Sequence, residues 1–391
     1  TAEDILKVYE GKYLDHIKFE TFDFGLTAAI MAVTEELDFV NIVNKATDKR
    51  EIEGLTVGEY LLLMIMARCH GPYSKQGTGE LFFERSFLSL TWDVPHRLNS
   101  QNFINHMAYT DDKAMDAISM GLARNMVEKG FDVKYIIWDT TNVSTNIEGW
   151  DSELLQMGNA KDKRFDKNLV GIGIGISQDN IPILHETYPG NEHDAKLLNR
   201  LVDSMVDKLK QLKMKVERIV FIMDTGNNSE ENIETILENM HIIGGLKRNQ
   251  VSDLMKVPLQ KYEYLYTNSN GHIIKGYRTE KELYGRNFRV VVTYNEKTKR
   301  RQLKTYERNK KRILDELEDI ARRFARKEGK GRRMSVRGAE TAIYDAIPKD
   351  LRAVFHHEIA KKARKISYGV IKDKDEELVN AFGKKAIFTD I

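Results

Sequence analysis

The chain is poor in several things at once. One cysteine, Cys69, stands in 391 residues, so no intramolecular disulfide can form and no cysteine-based zinc site can be built. Six prolines against 26 glycines, with 41% hydrophobic and 31% charged residues, exclude a collagen-like repeat and a chain disordered throughout. No long apolar run is present. The longest, residues 60–67, is far short of the roughly 20 residues a membrane span needs. These absences leave a globular chain suited to a reducing compartment and no membrane partner; a cytoplasmic location is expected. At about 100–200 residues per domain, two or three domains are expected.

Net charge is also scarce, since 61 Lys/Arg face 59 Asp/Glu for a total of +2. The balance is uneven along the chain. Residues 296–337 hold 17 Lys/Arg against 7 Asp/Glu, leaving 44 against 52 elsewhere. Arg300, Arg301, Lys304, Arg308, Lys311 and Arg312 recur there at helical spacing, interrupted by Asp315, Glu316, Glu318 and Asp319. Such a segment suits a polyanion, because each phosphate contact releases counterions. The acids among the cations predict that part of this charge is paired internally.

Residues 1–130 read as a helical domain. Thr56 with Glu59 three residues on forms a capping-box pattern ahead of an apolar helix over 57–67, and 111–129 shows a broad apolar face. Near residue 131 the pattern changes to strands: 133–138, 169–176 and 181–187, then 218–223 and 241–246. Amphipathic helices over 194–212 and 230–240 separate the last three. Three consecutive strands followed by alternating helix and strand predict an α/β, ribonuclease-H-like mixed sheet over 131–250. Gly171, Gly173 and Gly175 alternate with isoleucines inside a strand that leads to another strand. They therefore read as a face kept bare for close packing rather than as a nucleotide loop. Residues 251–383 read as a basic α+β insertion domain, and 384–391 as a strand returning to the core.

Two acids stand out. Asp139 follows 135–138 and Asp224 follows 219–223, each directly after an apolar strand. Neighbouring strands would let two such carboxylates share a hard divalent cation, Mg²⁺ or Mn²⁺. Lys161, Lys163 and Arg164 lie in the loop after Asp139, and Lys247 and Arg248 follow the fifth strand; all five are candidates for phosphate contact. His185, His193 and Asp194 read more simply as surface and helix-start residues than as a second metal site, and His356-His357-Glu358 lacks the spacing of a zinc protease.

The runs Trp138-Asp139-Thr140-Thr141, Gly158-Asn159-Ala160-Lys161-Asp162-Lys163-Arg164-Phe165-Asp166, Tyr188-Pro189-Gly190-Asn191-Glu192-His193-Asp194 and Met223-Asp224-Thr225-Gly226-Asn227-Asn228-Ser229 occur in that order. Together they resemble DDE-type transposases of insertion sequences. The resemblance is strongest over 131–250. It implies that Asp139 and Asp224 are the first two acids of a metal-binding triad holding two Mg²⁺ or Mn²⁺ ions. It further implies hydrolysis at transposon ends and strand transfer into target DNA by a homodimer in a prokaryotic cell. The third acid, a Glu on a helix after the returning strand, is expected beyond Ile391, with Glu376 or Glu377 as in-chain substitutes. Two other readings stay open: a catalytically inactive DNA-binding descendant or fragment, and a different metal-dependent nuclease on the same fold.

Overall fold

The computed structural model describes residue 3 and residues 21–47, 54–94, 97–147, 152–158, 160, 166–192, 194–327 and 332–391. The chain divides into two units, one of residues 1–132 with 211–214 and one of 133–210 with 215–391.

The first unit is helical: α1 (Gly25–Glu36), α2 (Phe39–Ala46), α3 (Val57–His70), α4 (Ser100–Met107) and α5 (Asp112–Glu128) are its longer helices. Their starts follow the sequence. Glu59 N–H donates to Thr56 Oγ1 at 3.3 Å and Thr56 N–H to Glu59 Oε2 at 2.7 Å, closing the capping box on α3. Asp111 caps α5 by accepting from Ala114 N–H at 2.8 Å. Val43, Tyr60, Leu63, Met66, Leu88 and Phe103 form the core, with Tyr60 edge-on to Phe103 at 5.4 Å.

The second unit is built on a ten-stranded sheet: β1 (Tyr135–Thr145), β2 (Gln156–Met157), β3 (Asn168–Ser177), β4 (Pro182–Pro189), β5 (Val220–Met223), β6 (His241–Leu246), β7 (Glu263–Thr267), β8 (Ile273–Leu283), β9 (Arg286–Asn295) and, after a separate β10 (Phe355–Ala360) and β11 (Lys365–Val370) hairpin, β12 (Lys384–Thr389). The order β4-β3-β1-β5-β6 is antiparallel through β1 and parallel from β1 to β6. This is the ribonuclease-H-like arrangement of a mixed α/β fold. Helix α6 (Asp194–Gln211) joins β4 to β5, and α7 (Glu230–Leu237) joins β5 to β6.

Two features go beyond the sequence reading. The returning strand β12 lies between β6 and β9, antiparallel to both, and carries the core sheet onward into β9, β8 and β7. The reason is burial, since Ala386 and Phe388 of β12 stand beside the buried Val290 and Val292 of β9. The β10–β11 hairpin, with His356, His357 and Glu358 exposed on β10, gave no clear alternating signal.

The basic segment is one long helix, α8 (Glu296–Phe324), capped by Asn295, which accepts from Thr298 N–H at 3.1 Å. Its apolar stripe of Tyr306, Ile313, Leu317, Ile320 and Phe324 packs with Ala339 and Ile343 of α9 (Val336–Ala346). Arg364 clamps the far end by donating to Phe324 O at 2.7 Å and Met334 O at 2.9 Å. A final helix, α10 (Lys372–Asn380), precedes β12.

Candidate active site on one face of the sheet

Strands β1 and β5 run parallel in the register Tyr135↔Val220 to Trp138↔Met223. Trp138 and Met223, the last pair, are 3% and 4% exposed. Because side chains alternate along a strand, the next residues, Asp139 and Asp224, belong to the opposite face of neighbouring strands, and both are exposed. The buried face meets α6: Trp138 and Phe221 line a cavity of about 30 Å³ with Leu198, Val202 and Met205.

Close packing fixes the strand that bears Asp139. A Cβ on Gly173 would lie 2.4 Å from Trp138 Cη2, and one on Gly171 would lie 2.2 Å from Tyr188 Cε2. The bare face of β3 is therefore where the Trp138 and Tyr188 rings rest. Asp139 does not end its strand, as the sequence pattern suggested. Pairing with β5 stops at Trp138, while β1 continues to Thr145 against β3 as far as Asn168. One carboxylate oxygen of Asp139, Oδ1, accepts from Thr140 N–H at 2.8 Å.

Asp224 does end its strand and caps a short turn, accepting from Gly226 N–H at 2.9 Å. That turn is held against β6: Asn228 Nδ2 donates to Gly245 O, and a Cβ on Gly245 would lie 2.6 Å from Thr225 Oγ1. Thr225, Asn228 and Gly245 thus position Asp224. Thr225 and Asn228 lie in the run 223–229 that stands out in the sequence, whereas the Gly244-Gly245 pair inside a strand is the sequence trace of the close approach to β6. Exposed apolar side chains flank Asp139. Ile174 stands opposite Asp139 in the ladder, and Ile137 and Ile174 are 37% and 39% exposed.

Two exposed carboxylates, each one residue past the paired Trp138 and Met223 of adjacent strands, are hard oxygen donors of the kind Mg²⁺ and Mn²⁺ favour. The donor set fits such an ion, but among the described residues no third acid, histidine or cysteine joins them. Glu377, weighed as a substitute, is engaged elsewhere, with Lys256 and Lys374 each at 2.9 Å and its carboxyl held below the usual range by those hydrogen bonds.

The cationic candidates separate into groups. Lys161, Lys163 and Arg164, like His193, lie outside the described residues, whereas His185 is exposed on β4. Lys247 is exposed, its N–H donating to Gln250 Oε1 at 2.9 Å. Arg248 sits 5.9 Å from the Phe382 ring centre and shares a cleft of about 410 Å³ with Arg301, Gln302 and Asn309 of α8. Arg300 is paired with Glu296 at 2.9 Å and Arg312 with Glu316 at 2.7 Å, the internal pairing that the sequence pattern predicts. Lys304, Arg308 and Lys311 stay exposed on α8.

No helix among the described residues is long and apolar enough to cross a membrane. No family model and no curated protein matches the chain. Among solved structures, the Mos1 transposase paired-end complex with left transposon end is similar at 14% identity and a TM-score of 0.21, over 50% of this chain and 61% of that one. The chain therefore spans about three fifths of the Mos1 chain that it matches.

Proposed function

We propose that the protein acts on DNA as a transposase, hydrolysing a phosphodiester at a transposon end and transferring the strand to target DNA. The observation that supports this reading is the parallel register Trp138↔Met223 of a ribonuclease-H-like sheet, after which Asp139 and Asp224 come next on their strands, both exposed. A divalent cation held by these carboxylates would supply Lewis acidity toward a phosphate oxygen and a more acidic bound water. The chain's own contribution is to hold both carboxylates rigidly, through the Trp138 packing and the Asn228–Gly245 bond, so that little reorganisation accompanies reaction. Exposed cations of α8 suit phosphate contacts, which give affinity and position without base information. A homodimer would bring two ends together.

Asp224→Ala is expected to abolish Mg²⁺-dependent cleavage of transposon-end DNA while DNA affinity stays within a few-fold. Cleavage at the wild-type rate would refute the assignment. A second reading, a DNA-binding protein without cleavage, is favoured by one observation: among the described residues no cluster of three or more acids, histidines or cysteines could hold a metal ion. Salt-dependent DNA binding with no cutting by the wild-type chain, in Mg²⁺ or Mn²⁺, would select it.

A further inference from the structure

Along β6 and β12 the same alternation that exposes the acids exposes two lysines. Leu246 and Ala386 are register partners, 7% and 4% exposed, on the buried face. The next residues outward, Lys247 and Lys385, are exposed on the opposite face, the face of Asp139 and Asp224. The link across the sheet is continuous: Met223 pairs with Gly244, and the next residue, Gly245, packed against Thr225, pairs with Ile387, two residues from Lys385. With strands about 4.8 Å apart and residues about 3.3 Å apart along them, the Cα atoms of Lys247 and Lys385 lie about 8 Å and about 12 Å from that of Asp224.

Lys384 and Lys385 are adjacent in sequence and opposite in role. Lys384 is 6% exposed, donates to Met255 O at 2.6 Å and Val257 O at 2.9 Å, and is a structural staple. Lys385 makes no ion pair among the described residues, and neither does Lys247. Two like charges on neighbouring strands repel each other, a cost that an anion between them removes. The acid pair by itself would repel a polyanion; two exposed lysines on the same face offset that charge.

We infer that Lys385 and Lys247 form a two-lysine clamp for the phosphodiester backbone of a nucleic-acid strand lying across the acid face. This rests on the transposase reading and names Lys385 as a substrate-positioning residue. The backbone on which the clamp stands is fixed, since Thr293 Oγ1 donates to Lys385 O at 3.2 Å and Lys247 N–H is bound by Gln250.

The test measures binding of the full chain to a fluorescent DNA duplex over a salt series. Each of Lys385→Gln and Lys247→Gln is expected to shallow the slope of log affinity against log salt by about 0.9, the double variant by about twice that, and Lys385→Arg not at all. Unchanged far-ultraviolet circular dichroism and melting would separate this from unfolding, as the two side chains are exposed. A double variant with the wild-type slope would overturn the clamp while leaving the transposase reading intact. Wild-type-level cleavage by Asp224→Ala would instead overturn that reading, and a wild-type chain that binds no DNA would overturn both.

Discussion

Replacing Gly173 by alanine adds one methyl group to the bare face of β3, where it would meet Trp138 Cη2 at 2.4 Å and Cζ2 at 2.5 Å. Real Cβ contacts are about 1 Å longer, so the indole or the β1–β3 ladder must shift. The indole has little room, being 3% exposed and backed by Leu198, Val202 and Met205 of α6. Overpacking of this kind costs about 1–3 kcal/mol. Against it stands the lower conformational entropy of an unfolded chain with alanine, worth about 0.4–1 kcal/mol in the stabilising direction. The net expectation is a loss of about 1–2 kcal/mol from the second unit, read as a lower denaturant midpoint at unchanged slope. Since Trp138 directly precedes Asp139, cleavage should fall further than folding does. A Gly173→Ala protein as stable as wild type would refute the argument that the glycine face exists to receive the indole.

Thr56→Ala removes the hydroxyl half of the α3 capping box and should cost the first unit about 1 kcal/mol in denaturant unfolding, whereas Thr56→Ser should cost little. Tyr262 carries a hydroxyl that is buried without a hydrogen-bond partner among the described residues, and burial pushes its ionisation up to about 12. An unfolded tyrosine ionises near 10, so this group's contribution is complete below about pH 10 and is lost as pH rises toward 12. Tyr262→Phe should therefore leave stability at pH 7 unchanged or slightly raised, and make its decline between pH 10 and 12 shallower. Thermal melts of both proteins across that range measure the effect, and equal declines would contradict it.

Features that depend on neighbours in sequence could be read without coordinates. The Thr56–Glu59 and Asp111 caps, the alternating glycines of β3 and the amphipathic stripe of α8 are local, because a cap spans three residues and a strand's period is two. So was the strand and helix order that specifies the ribonuclease-H-like sheet, and with it the prominence of Asp139 and Asp224. The same local logic misjudged where β1 ends, because 140–145 is a largely polar run whose β-branched Thr and Val favour a strand without an apolar pattern to mark it, and pairing to β3 extends the strand through it.

Register across the sheet was decided only by the tertiary structure. Which face each aspartate occupies follows from the Trp138↔Met223 pairing of strands far apart in the chain. That β12 inserts between β6 and β9, turning Lys384 inward and Lys385 outward, depends on which hydrophobic residues it can bury against both neighbours. Arg248 and Arg301 meet in one cleft for the same kind of reason. A slip of one residue in any of these ladders would leave every local pattern intact and move each of these side chains to the other face.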